Sequence, residues 1–320
     1  MEGVQNKHFE NEELIMFYNA ENFFSPDNTN RQQLSISGLR SWNRKKYENK
    51  IFKIAHVFQL VNESNELPML IGLSEVQGEK VLQDLVEMDP FNSNFGIVHY
   101  ESMDERGVDV ALLYDKRKIE IIESEPISFF FEIKDDYPDN YDTTRDILYC
   151  KAKYQNAELN IFVFHLPSKR ENDINRPKRQ HMLKTIKERI ETMTGNNEAV
   201  ILCGDFNENP DEENLLDLVN DRNGGRLLQN PFEELFRQKR YSTFHYRFGL
   251  LFDQIMLSKD FMDGRFPLQF ASAEVFNHEK ISNWDRKFKG RPFRTYAGTR
   301  YLGGYSDHFP VFVKLKNIKN

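Results

Sequence analysis

Ala199-Val200-Ile201-Leu202-Cys203-Gly204-Asp205-Phe206-Asn207 is the stretch on which the reading of this chain turns. Five consecutive apolar residues make a run of strand length, and an unbroken apolar run implies burial on both faces. Two polar side chains, Asp205 and Asn207, follow directly at its carboxyl end. Outward from this point the same arrangement recurs. Leu14 to Tyr18 runs into Asn19, Met69 to Leu73 is followed by Glu75, and Leu159 to Phe164 ends on His165. Asp253 opens the apolar run Phe252 to Leu257, and Asp307 with His308 precedes Phe309 to Leu315. Polar residues gathered at strand ends make a cluster on a rigid floor.

Between these strands lie two helical patterns. Ile51, Ile54, Ala55, Phe58 and Val61 share one helix face within Tyr47 to Val61, as do Met182, Leu183, Ile186, Ile190 and Met193 before Gly195. Val108 to Tyr114 reads as a further strand, and Ile147 to His165 as a hairpin turning near Asn156. Asn209 followed by Pro210 predicts a helix N-cap and first helical residue. The mixed order, without internal repeats or low-complexity linkers, predicts one α+β domain over 1–320, its core at about 14–315, with two packed sheets. Residues 25–46 and 277–304 are polar, rich in arginine and aromatics, and read as long loops of the kind that carry function.

Lysine and arginine number 43 against 50 acidic residues, a net charge of −7. That balance disfavours non-specific polyanion binding over the whole surface while permitting a local basic groove. No apolar run approaches a membrane span, so no stable membrane association is expected. Met1 to Glu13 lacks the basic start and apolar stretch of a secretory signal, which predicts a cytoplasmic protein, or a secreted one if the start has been trimmed. Cys150 and Cys203 sit in apolar strands and read as buried free thiols. No protein partner is predicted.

Carboxylates and an amide without cysteine suit a hard cation, Mg²⁺ or Mn²⁺, rather than zinc. His165 and His308 suit proton transfer or phosphate binding better than ligation of Mg²⁺. Phosphodiester hydrolysis needs an oriented deprotonated water, a cation on the developing charge and help for the leaving oxygen, and this cluster holds side chains for each. The remaining histidines, His56, His99, His181, His245 and His278, read as structural or exposed. Asp109, between apolar neighbours, needs a partner, and a structural arginine would serve as well as a site role.

Six motifs appear in one order. They are Phe17-Tyr18-Asn19-Ala20-Glu21-Asn22, Leu73-Ser74-Glu75-Val76, His165-Leu166-Pro167-Ser168, Gly204-Asp205-Phe206-Asn207, Phe252-Asp253-Gln254-Ile255 and Ser306-Asp307-His308. The set resembles the endonuclease/exonuclease/phosphatase superfamily of DNase I-like enzymes, over residues 14 to 315. The resemblance implies a four-layered α/β/β/α sandwich and a Mg²⁺-dependent hydrolase. It implies Glu75 as main metal ligand with Asn19 and Asp307 beside it, and His308 as general base oriented by Asp253. Asp205 would prepare the nucleophile, Asn207 would hold a phosphate oxygen, and His165 would serve the phosphate or leaving group. Glu101 and Asp109 are both candidates for an acidic partner of His165, and Arg145 for a phosphate contact. The Ala20-Glu21-Asn22-Phe23 segment departs from the shorter turn of many nucleases and resembles a general bacterial subgroup.

Trp284 to Tyr301 interleaves Arg286, Lys287, Lys289, Arg291, Arg294 and Arg300 with Phe288, Phe293 and Tyr296. Arginine beside aromatics can grip a phosphate backbone and stack bases, which makes Arg291 and Arg294 candidate substrate contacts. The function expected is an endonuclease-like phosphodiesterase with nucleic acid as substrate. The alternatives are a phosphatase or phosphodiesterase of a small or lipid-linked phosphoester and, from another class, a non-catalytic scaffold.

Overall fold

The apolar runs pair into two six-stranded sheets in a computed structural model that describes residues 12–28, 30–132, 141–169 and 172–318. The start of the chain, on which the reading of a missing leader rests, lies outside the described residues as far as residue 11.

In order across the first sheet run β11 (Leu268–Val275), β12 (Val311–Asn317), β1 (Glu12–Phe23), β2 (Leu70–Val76), β4 (Asp109–Asp115) and β3 (Phe95–His99). The second holds β9 (Leu228–Gln229), β10 (Asp253–Ser258), β8 (Ala199–Asp205), β7 (Ala157–His165), β6 (Ile147–Tyr154) and β5 (Ile119–Ile127). Both sheets have one plan. A parallel pair lies at the centre, β1 with β2 and β7 with β8, and every other pairing is antiparallel. The central strands are the unbroken apolar runs of the sequence, as strands covered on both faces must be.

The sheets pack face to face, with Phe17, Val163, Ile201, Cys203 and Ile255 in the shared core. At Gly72 a Cβ would come 2.7 Å from Cys203 Sγ and 3.2 Å from Val163 Cγ1 of the other sheet, so the glycine sets how closely the sheets approach. Both cysteines are free and buried, as expected. Helices Arg44–Ser64 and Gly78–Val86 cover the outer side of the first sheet, and Arg176–Gly195 with Glu213–Val219 that of the second. The result is the α/β/β/α sandwich. Among the described residues no helix is long and apolar enough to cross a membrane.

Three local expectations need correction. The helix after Asn209-Pro210 begins only at Glu213. Asn209 spends its side chain elsewhere, accepting from Leu251 N at 2.9 Å and donating to Glu212 Oε1 at 3.1 Å. Segment 25–46 contains a short helix, Arg31–Ile36, capped by Asn30, and the start of the helix at Arg44. Segment 277–304 carries a 3₁₀ turn at Glu279–Ile281 and a small hairpin pairing Tyr296–Ala297 with Arg300–Tyr301. Neither segment is loop throughout.

Candidate active site

The two parallel pairs end at the same edge of the sandwich, and register does the rest. In the second sheet Asp205 lies opposite both His165 and Asp253, so three polar side chains stand in one row. In the first, Asn19 pairs with Ser74, and the pairing then breaks. Phe23 resumes opposite Val76, leaving Ala20, Glu21 and Asn22 to face Glu75 alone. On its other side β2 shifts register between Ser74 and Val76, which makes Glu75 a bulge residue. Glu75, Glu21 and Asn22 all adopt left-handed backbone, with φ of 59°, 45° and 51°. Such conformations cost energy for non-glycine residues and collect at functional sites.

Asn19 ties the halves together. Its Nδ2 donates to Asp205 Oδ2 at 3.1 Å, and its carbonyl accepts from Ser306 Oγ at 2.6 Å. Ser306 Oγ in turn accepts from His308 N at 3.1 Å, which places the terminal motif against the floor. His308 Nδ1 lies 2.7 Å from Asp253 Oδ2, and its Nε2 lies 3.9 Å from Asp205 Oδ2. Asp253 is fully buried and also accepts from Ser242 Oγ at 2.5 Å.

The electrostatics follow from this packing. Burial opposes charge on His308, but Asp253, by charge and hydrogen bond, and then Asp205 raise its pKa well above the usual histidine value. Burial pushes Asp205 up to about 7, with His308 pulling the other way. Burial would also raise Glu75, yet Arg106 at 3.0 Å and His165 hold it well below the usual carboxylate range. His165 is depressed by burial and by Arg145, so its ring is neutral near pH 7. The Nε2 atom of His165 sits 3.8 Å from Glu75 Oε1 and 3.9 Å from Asp205 Oδ2.

Eight of the residues named from sequence thus meet at one edge, namely Asn19, Glu75, His165, Asp205, Asn207, Asp253, Asp307 and His308. Asn207, at φ 51°, donates its amide to Leu166 O at 2.9 Å and keeps a second amide hydrogen for other use. Arg294 joins them, donating to Asp307 Oδ2 at 2.7 Å. Arg291 stands further out. Its guanidinium lies 5.3 Å from the Phe244 ring centroid and 5.6 Å from that of Phe288, and it donates to Tyr246 O.

Other expectations are not met. Arg145 is buried, and its guanidinium donates to His165 O, Leu166 O and Asp104 Oδ2 at 3.3, 3.1 and 3.0 Å. It clamps the end of β7 instead of facing the site as a phosphate contact. Asp109 is taken by Ser102 Oγ at 2.5 Å and by His99 at 3.4 Å, so its partner is neither His165 nor an arginine. No ion pair or hydrogen bond joins Glu101 to His165 either, and His165 Nδ1 has no hydrogen-bond partner among the described residues. His245, by contrast, is exposed as expected, and it lines a pocket beside Asp307.

Arg106, Glu21 and Lys50 were missed. Arg106 lies in a turn with no motif around it, and only the fold brings it to Glu75. Glu21 was visible in the lengthened first motif. Its carboxylate accepts from Thr295 N at 2.6 Å and Tyr296 N at 3.3 Å, fastening the basic loop to β1. Lys50, fully buried, donates to Thr295 Oγ1 at 2.7 Å and Tyr305 O at 2.5 Å, bracing the same loop from the helix Arg44–Ser64.

The fit to a hard divalent cation can be judged from the donors. The tightest group of possible ligand atoms among the described residues is Asp205, Asp253 and His308, within 4.8 Å of one another. Asp253 is sealed, and its Oδ2 is bonded to both His308 and Ser242. Asn19, Glu75 and Asp307 instead offer amide and carboxylate oxygen at the edge, and sulfur is absent from the set. Glu75 stays ionised, while Glu21 is raised to about 7, first by burial and then by the charge of Asp307. These residues fit Mg²⁺ or Mn²⁺.

Comparison with known proteins agrees with the geometry. The sequence pattern of the endonuclease/exonuclease/phosphatase family matches residues 14–317. No curated protein matches the sequence. Among solved structures, TDP2 from D. rerio in complex with a single strand DNA product is similar, with a TM-score of 0.59 at 16% identity over 96% of this chain and 99% of that one. A mannosyl-6-phosphatase from Bacteroides thetaiotaomicron has a TM-score of 0.57 at 18% identity, covering 95% and 99%. The human nocturnin catalytic domain reaches 0.58 at 14% identity, covering 96% and 94%.

Proposed function

The chain belongs to the endonuclease/exonuclease/phosphatase family, whose members are phosphoester hydrolases, and from that premise we propose a Mg²⁺-dependent phosphodiesterase acting on nucleic acid. The observation that carries this reading is the junction of two unlike parts. A sealed acid–histidine pair, Asp253–His308, adjoins a basic loop with exposed aromatic rings that reaches Asp307 through Arg294. The first suits proton transfer at a phosphoester, and the second suits a polyanion bearing bases.

Glu75, Asn19 and Asp307 would hold the cation, which when bound neutralises developing charge on a phosphoryl oxygen. The chain's own residues do the rest. Asp253 holds the His308 ring through Nδ1, and the deprotonated fraction of that ring takes a proton from the attacking water at Nε2, the charged form that results being stabilised by Asp253. Asp205, 3.9 Å away, orients that water and shares the proton load. Asn207 turns its remaining amide hydrogen to a phosphoryl oxygen. His165, neutral and held at the strand end by Arg145, donates from the opposite side. Arg294 and Arg291 steer the phosphates in, Arg294 exchanging its grip on Asp307 for one on substrate.

The second reading, a phosphatase of a small phosphoester, draws on the pocket beside Asp307, about 370 Å³, and on the sugar phosphatase among the structural neighbours. Hydrolysis of single-stranded DNA, RNA and a small sugar phosphate, each with Mg²⁺ and with EDTA, separates the two. Metal-dependent cleavage of the polymers is expected, and turnover of the sugar phosphate alone would overturn the nucleic-acid reading.

A further inference from the structure

Between the basic loop and the hairpin that pairs Thr243–His245 with Phe248–Leu250 lies the pocket of about 370 Å³ just mentioned, half open to solvent. Asp307 forms part of its wall, so whatever fills it sits next to the reacting phosphate. The size is that of pockets enclosing one small ligand, too small for a double helix. Its walls are aromatic and cationic. Phe244, Phe288 and Tyr246 face it together with Arg291, whose guanidinium stays between the Phe244 and Phe288 rings.

The two segments that carry the pocket also expose large rings. Trp284 is 83% exposed, Tyr246 81%, Phe248 62% and Phe288 40%, all on these two neighbouring segments. Large rings held out in water cost solvation free energy without contributing to the core, and clusters of them mark recognition surfaces. Tyr246 sits at the hairpin turn with φ of 50°, so a strained backbone presents it outward. Arg247 lies 5.5 Å from the Phe248 ring centroid and Lys287 5.2 Å from that of Phe288, and Arg286 and Lys289 adjoin in sequence, which concentrates positive charge on these segments despite the chain's net charge of −7.

We propose that this pocket takes one unstacked nucleobase adjoining the scissile phosphate, so that the enzyme prefers unpaired nucleotides to continuous duplex. Rings and guanidinium supply stacking surface that accepts any base. A base in a duplex must first leave its stack, at a cost a single strand escapes. The inference rests on the nucleic-acid reading above and adds what selects the substrate. Pro292 and Leu302 add apolar wall, and a volume of about 370 Å³ suits one base.

The test is equilibrium binding by titration calorimetry in Mg²⁺ buffer, using thymidine 5′-monophosphate and 2-deoxyribose 5-phosphate. The two carry the same phosphate and differ by the base. The nucleotide is expected to bind about tenfold more tightly. Phe288→Ala should bring the two affinities together, while Phe288→Tyr, which keeps the ring, should retain the preference. Equal affinities in the wild type, or binding of neither compound, would overturn the proposal. So would a preference that survives Phe288→Ala with Tyr246→Ala. A parallel assay compares a single-stranded oligonucleotide with the same sequence as duplex, and at least a tenfold higher kcat/KM is expected for the single strand. Equal cleavage of both sinks the pocket's role and leaves the nuclease reading standing. Turnover of sugar phosphate without any polymer cleavage sinks the nuclease reading itself.

Discussion

Asp253 and Trp284 have surroundings that could hardly differ more. Asp253 is wholly buried at a strand start, bonded to His308 and Ser242, while Trp284 is 83% exposed on a loop. The floor around Asp253 is built for fixed geometry. Its side chains stand at strand ends, and Asp253, Asp205, Asn207 and Glu75 are each hydrogen-bonded to a second group. The overhanging loop is built for contact, and its rings and guanidinium groups face outward. Errors of an ångström ruin proton transfer but barely alter stacking, so the two regions tolerate change very differently.

Substitutions can break that contrast. The largest effect is expected at the sealed pair. His308→Ala or Asp253→Asn should lower kcat by about 10²–10⁴-fold with KM little altered, read by steady-state kinetics. Unchanged kcat in either variant would remove the proton-transfer role. Next comes Glu75→Gln, which keeps shape and hydrogen bonding but removes a charge. Mg²⁺ affinity by calorimetry should fall by at least about tenfold, and activity with it. Retained affinity would move the cation to Asp205, Asp253 and His308.

Lys50 joins floor and loop, and its pH dependence reads that link. Burial lowers its pKa from 10.5 to about 8, against the raising effect of Glu21. Below pH 8 both folded and unfolded chains hold the proton, so the cost of burying the charge is fully present. From about pH 8 to 10.5 the folded chain sheds it first, and stability rises with pH by on the order of 3 kcal/mol. Lys50→Met should flatten that rise in thermal melts relative to wild type. A parallel rise in both proteins would show that Lys50 does not report on the link.

The smallest effect is expected at the rim. Arg291→Ala should raise KM for DNA a few-fold and reduce its salt dependence by about one phosphate contact, with kcat nearly kept. A kcat loss matching that of His308→Ala would place Arg291 in the floor.

These regions also differed in how far they could be read from sequence. Strand ends were legible because an apolar run announces its own limits: Asn19, Glu75, His165 and Asp205 stand just past one, and Asp307 just before one. Arg106 and Lys50 were not, since each reaches its partner across long chain separation and neither neighbours a motif. Arg145 misled for a related reason. A conspicuous arginine before a histidine strand suggested phosphate, yet backbone carbonyls at the strand end needed its donors more. Asn209 misled locally, as its side chain found Leu251 N and Glu212 instead of a helix start. Neither the common plan of the two sheets nor the pocket between hairpin and loop could be inferred from spacing, because both arise from pairing between distant segments.

Glu75 leaves a last consequence. A strand counts in twos, one residue up and the next down, and at Glu75 the count is interrupted by one extra residue against β4 and by three residues of β1 on the other side. The carboxylate is therefore out of phase with the strand that carries it. Deleting a single residue here would restore the rhythm of the strand and, in doing so, swing the acid away from Asn22 and Arg106 toward a different face. The irregularity works like a stop on a sliding bolt. It fixes where β2 comes to rest against both neighbours, so one flaw in the pleat aligns the sheet and aims the acid.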